Sequence, residues 1–144
     1  MIISVGNNYT RKKICDGMNI QYHTTIHPAA ILSVHSSVGE GSVVMRGALI
    51  NTDIFIGKHC TVNSNASIDH DCFIGDFAHI SPNATLCGDI TIGECTLVGT
   101  GAIVIPGKKI GANTIIGAGA VVISDIPDNV IVVGNPARII TQRQ

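Results

Sequence analysis

The sequence predicts an all-β fold, a parallel β-helix whose cross-section is a triangle and whose coil takes eighteen residues. Three observations predict it. Every sixth residue from Ile26 to Val122 is aliphatic without exception, beginning Ile26, Leu32, Val38, Val44, Ile50. Four places further on in each hexad the residue is usually small, as at Ala30, Ser36, Ser42, Ala48, Cys60 and Ala66. Glycine returns every eighteen residues, at Gly39, Gly57, Gly75, Gly93 and Gly111, so three hexads make one structural repeat. The small residue and the aliphatic one that follows it are two apart and point to the same side of a short strand, while the remaining positions turn a corner.

Taken in chain order, Ile2 to Val5 reads as a short strand, Gly6-Asn7-Asn8 as a turn, and Tyr9 to Asp16 as a short helix capped by Asn8. From Ile26 to Pro127 the hexads run without a slip in register. That leaves room for between five and six coils, stacked at about 4.8 Å, with no long loop thrown out of the column. The segment from Asp125 to Arg138 closes it. Periodicity leaves the hand of the coil open, and the general rule for parallel crossovers favours the right hand.

The bulk composition suits a stacked column. Two Tyr, three Phe and no Trp in 144 residues are few for a ball-shaped core, whereas levels filled by Ile, Val and Ala need few aromatics. Nine basic against ten acidic residues give a net charge of −1, which is no footprint for nucleic acid or an anionic membrane. No apolar run precedes a small-residue cleavage site at the start, and no later stretch reaches eighteen apolar residues, so a cytoplasmic protein is expected. The five cysteines form no CxxC pair. Cys60 and Cys72 fall on the small inward position and read as buried thiols rather than disulfide or metal partners.

His70 falls on a corner between Asp69 and Asp71. A solvent-facing imidazole whose tautomer is fixed and whose basicity is raised by a carboxylate suits a general base, although polar residues also favour corners for no chemical reason. Eighteen-residue stacking puts Thr52 and Gly88 on the coils below and above it. A glycine there either lets a backbone N–H approach a reacting carbonyl or serves a corner with positive φ. His79 takes the outward position before Ile80, where a surface or subunit contact is the plain alternative to ligand binding. Asp53, Asp71 and Asp89 share one corner at eighteen-residue intervals and read as turn formers in preference to a cation site.

The pattern aliphatic-Gly-x-x-small-x, with Gly134-Asn-Pro-Ala137 in the closing segment, resembles the hexapeptide-repeat acyltransferases, whose columns are left-handed and usually trimeric. Within that superfamily, Ile68-Asp-His-Asp-Cys-Phe-Ile-Gly-Asp-Phe-Ala-His-Ile-Ser-Pro82 is similar to the sialic acid O-acetyltransferase group, which includes the N-acetyltransferases of nucleotide-linked amino sugars. The resemblance implies a left-handed β-helix domain over 26–144, a homotrimer, acetyl-CoA as co-substrate and no metal. It implies that His70 is the general base, that Asp71 strengthens it, and that the Gly88 amide receives the oxyanion. Relatives often carry Glu at the place of Asp71, so Asp69 is a second candidate for that contact. By the same resemblance His79 and Asn63 adjoin the acetyl end of the donor, and Thr100 and Ala118 lie along its pantetheine arm. Ser4 to Ile14 resembles the piece that closes a small nucleotide-binding α/β domain in full-length relatives. Residues 1–25 are therefore read as an α/β remnant of a naturally short or truncated member, with Gly6 and Asn7 as candidate substrate contacts.

The function expected is acetyl transfer from acetyl-CoA to the amine of an amino sugar, nucleotide-linked as in the relatives, by direct attack. No cysteine is placed as a nucleophile. O-acetylation of a sialic acid or other sugar hydroxyl is the alternative within the class. A zinc hydratase of the carbonic anhydrase kind would need three converging imidazoles, and His59, His70 and His79, spaced by eleven and nine residues, match no such pattern. A catalytically silent assembly column is the remaining alternative, and the Asp69-His70-Asp71 motif argues against it.

Overall fold

The hexad becomes geometry at its fourth position. In the computed structural model, which describes residues 1–143, every sixth residue from Gly41 to Gly119 has positive φ. A left-handed residue turns the chain sharply, and Asp and Asn adopt that conformation more readily than most side chains. Asp53, Asp71 and Asp89 occupy it with φ of 57°, 58° and 57°, which bears out their reading as turn formers.

Between corners lie two-residue strands, each paired in parallel with the strand eighteen residues on. The first face carries Thr25–Ile26, Val43–Val44, Thr61–Val62, His79–Ile80, Leu97–Val98 and Ile115–Ile116. The second carries Ile31–Leu32, Leu49–Ile50, Ser67–Ile68, Thr85–Leu86, Ile103–Val104 and Val121–Val122. The third carries Ser37–Val38, Phe55–Ile56, Phe73–Ile74, Thr91–Ile92 and Lys109–Ile110. The coils wind left-handed, about six of them, as the family resemblance implies.

Inward positions fill the column level by level. Ile56, Ile68, Ile74, Ile80, Leu86 and Ile92 are wholly buried, each contributing about 1.5–3 kcal/mol by leaving water. Small residues let the three walls approach. Ala66, Ala84, Ala102 and Ala120 form one such ladder, all fully buried. Where the small residue is polar, it finds a backbone carbonyl: Ser42 Oγ donates to Gly57 at 2.8 Å and Thr96 Oγ1 to Gly111 at 2.6 Å. Cys60 and Cys72 are buried as expected, and desolvation pushes their thiols up to about 12 and about 11.

Beyond Pro127 the beat changes. Ile131 pairs with Ile115, sixteen residues away instead of eighteen, and the strand Val130–Val133 turns through Gly134–Ala137 into the antiparallel strand Arg138–Gln142. Val130, Val132 and Ala137 are buried here, so the apolar column ends under its own hairpin instead of in water.

The N-terminal region departs from the sequence reading in two details. The helix α1 runs Asn8–Asp16 and its cap is Asn7, whose Oδ1 accepts the Thr10 N–H at 2.9 Å. Asn8 lies inside the helix and faces the column, donating from its amide to the Cys95 and Thr96 carbonyls. Residues 2–5 form no strand. That segment runs across the first face, tied down by Arg11 Nη1 at the Val5 carbonyl (2.9 Å). Among the described residues no helix is long and apolar enough to cross a membrane.

Candidate active site

The corner between the second and third faces carries His70. Its backbone N–H donates to Asp69 Oδ1 at 2.9 Å, and Asn51 Nδ2 donates to the same oxygen at 2.8 Å from the coil below. Asp69 is thereby committed to the backbone. The side-chain contact falls to Asp71, whose Oδ2 lies 2.8 Å from His70 Nδ1, so the shorter carboxylate arm does reach. This hydrogen bond, with the charge of Asp69 behind it, raises the imidazole pKa. A carboxylate can only accept, so Nδ1 carries the proton and Nε2 is left bare, the form a general base requires.

Gly88 stands directly over the ring. A Cβ added there would lie 2.5 Å from His70 Cε1 and 2.6 Å from Nε2, so any side chain would strike the imidazole. Its φ is not in the left-handed region, which removes the corner explanation and leaves close approach as the reason for glycine. Its amide is also distinctive. At the matching place one and two coils below, the N–H of His70 is taken by Asp69 and that of Thr52 by Asn51. Cys87 precedes Gly88 and offers no such oxygen, so among the described residues the Gly88 N–H has no backbone or side-chain acceptor.

The other candidates gather on a different edge. Asn63, Thr100 and Ala118 lie at the corner between the first and second faces, with Thr100 and Ala118 exposed. At the neighbouring positions Gly101 and Gly119 a Cβ would meet nothing, which leaves an open track along this edge. His79 opens the first-face strand beside Asn63, its Nε2 3.3 Å from Asn63 Nδ2 and its Nδ1 3.4 Å from the Gly6 carbonyl. Burial lowers its pKa, unlike that of His70. A cleft of about 270 Å³ separates residues 2–6 from the first face and is lined by Val5, Gly6, Met45, Thr61, Asn63 and His79.

One chain thus brings His70, Asp71 and Gly88 together, and separately His79, Asn63, Thr100 and Ala118, with the second face between the two sets. Gly6 adjoins the second set through its carbonyl, and Asn7 is occupied as the helix cap. The sequence reading missed Arg11, which is 2% exposed and donates to the carbonyls of Val5, His59 and Phe77 and to Asn8 Oδ1. It also left His59 without a place. That ring is buried at the corner beneath α1, stacked on Phe77 at 5.1 Å, edge-on to Tyr22 and 3.1 Å from Cys15 Sγ. Among the described residues no group of three or more His, Cys, Asp or Glu is placed to hold a metal ion.

A left-handed column in perfect hexad register, with a histidine–carboxylate pair on one edge, has the architecture of the hexapeptide-repeat acyltransferases. No family model matches the chain. Among solved structures it is similar to PerB from Caulobacter crescentus in complex with CoA and GDP-perosamine, at 40% identity and a TM-score of 0.94, over 97% of this chain and 69% of that one. It is similar as well to the acetyltransferase domain of PglB from Neisseria gonorrhoeae in complex with acetyl coenzyme A, at 39% identity and a TM-score of 0.92, over 96% and 69%. A curated relative, the UDP-N-acetylbacillosamine N-acetyltransferase of Bacillus subtilis (strain 168), is 47% identical over 47 residues, which are 31% of this chain and 22% of that protein's length. The chain belongs to the left-handed β-helix family of acetyl-CoA-dependent amino-sugar N-acetyltransferases.

Proposed function

We propose that this protein transfers the acetyl group of acetyl-CoA to the amine of a nucleotide-linked amino sugar, in the cytoplasm, at sites shared by neighbouring columns of a homotrimer. The observation that carries the reading is the split between the two edges. His70 and Gly88 stand on one side of the second face, and the open track past Thr100 and Ala118 on the other. The column between them is solid with side chains, so they meet only when the track of one subunit faces the base of the next. Ile31, Leu49 and Ile103 project from the second face and are 66%, 40% and 41% exposed, which suits a face turned toward the threefold axis.

In such a site the acceptor amine attacks the thioester carbonyl while His70 Nε2 takes its proton. The N–C bond forms, the carbonyl oxygen gains charge, and the free Gly88 N–H stabilises it. Collapse breaks the C–S bond, and the proton held by His70 passes to the leaving thiolate. His79 and Asn63 adjoin the acetyl end, and Thr100 and Ala118 border the pantetheine arm. By the resemblance of Ser4 to Ile14, residues 1–25 are read as the remnant of a nucleotide-binding domain, with Gly6 and Asn7 as its candidate contacts to the acceptor.

The test is thiol release from acetyl-CoA against a panel of free and nucleotide-linked amino sugars and their hydroxyl counterparts. Thiol release with amine acceptors alone is the expected result. Release with hydroxyl acceptors alone would replace N- by O-acetylation, and no release with any acceptor would overturn the reading.

A further inference from the structure

The hydrogen bonds around His79 can run in only one direction. The Ser64 N–H, which can only donate, points at Asn63 Oδ1 (2.8 Å). That fixes the Asn63 amide with its NH₂ toward His79 Nε2 (3.3 Å), so Nε2 accepts. At the other end Nδ1 faces the Gly6 carbonyl (3.4 Å), which can only accept, so Nδ1 donates. Both ends demand the same tautomer. The Gly6 carbonyl is itself positioned from a distance: Arg11 ties the preceding Val5 carbonyl (2.9 Å) to the carbonyls of His59 and Phe77 (2.8 Å each), which belong to two successive coils.

We infer that the N-terminal segment is part of the donor site, in which the Gly6 carbonyl holds His79 as the neutral Nδ1–H tautomer and Arg11 is the positioning residue that pins this carbonyl to the column. Under this assignment His79 offers no N–H to the acetyl group. Its bare Nε2 orients Asn63, and the second N–H of the Asn63 amide is the donor left for the acyl carbonyl or the sulfur. Residues 1–7 would then serve acyl transfer whatever they contribute to nucleotide recognition. The inference rests on the proposed place of His79 and Asn63 at the acetyl end.

The test is a long-range ¹H–¹⁵N spectrum of histidine-labelled protein, which separates a protonated ring nitrogen from a bare one and needs no turnover. The His79 resonances are assigned by their loss in His79→Gln. The expected result is Nδ1 protonated and Nε2 bare in the wild type near neutral pH. Arg11→Lys, whose donors all sit on one nitrogen and cannot span carbonyls reached here from Nε, Nη1 and Nη2, is expected to mix the tautomers, and Asn63→Asp to force the Nε2–H form. With Arg11→Lys the KM for acetyl-CoA should rise roughly three- to tenfold, the scale of one hydrogen bond, with kcat changed less. An Nε2–H or doubly protonated His79 in the wild type would overturn the inference. So would an Arg11→Lys protein with unchanged tautomer and unchanged KM. Neither spectral outcome depends on whether the acceptor is an amine, so failure here is distinguishable from failure of the functional reading.

Discussion

His70, the proposed base, is exposed and has two close neighbours, the Asp71 carboxylate and the backbone of Gly88. His70→Ala is expected to lower turnover by roughly 10²–10⁴-fold while leaving acetyl-CoA binding nearly unchanged, as steady-state kinetics beside donor titration would show. The pH profile reports on Asp71. Only the neutral imidazole accepts a proton, so activity rises with pH through the His70 pKa, which the Asp71 hydrogen bond raises. Asp71→Asn removes that support, so the acid limb of kcat/KM should move to lower pH, with a smaller loss of turnover than His70→Ala gives. An acid limb that stays in place would show that another group titrates. Gly88→Ala is a sharper probe of geometry, because its methyl group would fall 2.5 Å from the ring. It should cost turnover without disturbing the fold, since the clash is with an exposed side chain.

From Thr25 to Val122 each element is a two-residue strand that has no stability alone and is held by its neighbours in the stack. Ile92 is wholly buried between Ile74 and Ile110 on the third face. Ile92→Asp would bury a carboxylate without a partner, at a cost of several kcal/mol, and a collapse of the thermal transition is expected. Glu94 is two residues along, on the corner, and pairs with Lys12 at 2.9 Å with nearly half its side chain in water. Glu94→Ala should cost about 0–1 kcal/mol and shift the transition little. Equal tolerance at both positions would mean that the inward register is wrong.

For the molecule as a whole, the proposed function, with base and donor track on separate edges, would make activity a property of the assembly. Light scattering is expected to report three chains per particle at micromolar concentration. Ile103→Glu places a charge on the exposed second face, one strand in from its C-terminal end, and should yield folded monomers with little or no turnover. A folded monomer that retains wild-type turnover would show that a single column holds a complete site.

The column was legible in the sequence because its geometry is one local rule repeated. Six residues make a wall and a corner, so the inward residues, the coil number and the stacking of Gly88 over His70 all follow from counting. The period also separated the histidines by edge, although that consequence needs the triangle to be drawn. What the count did not decide lies where the chain leaves the period. Position alone could not choose between Asp69 and Asp71, because both flank His70 and the choice falls to Asn51, one coil below, which with the His70 backbone occupies Asp69. Nor did it show that α1 (Asn8–Asp16) grips the corner carbonyls of residues 48 to 88 positions away through Arg11 and Asn8. Any residue supplies a carbonyl, so such a contact leaves no mark in the sequence of the surface that receives it. The helix could be read from its composition and the turn before it, with the cap placed one residue late at Asn8 instead of Asn7, but its seat on the column, and with it the setting of His79, was decided by tertiary structure alone.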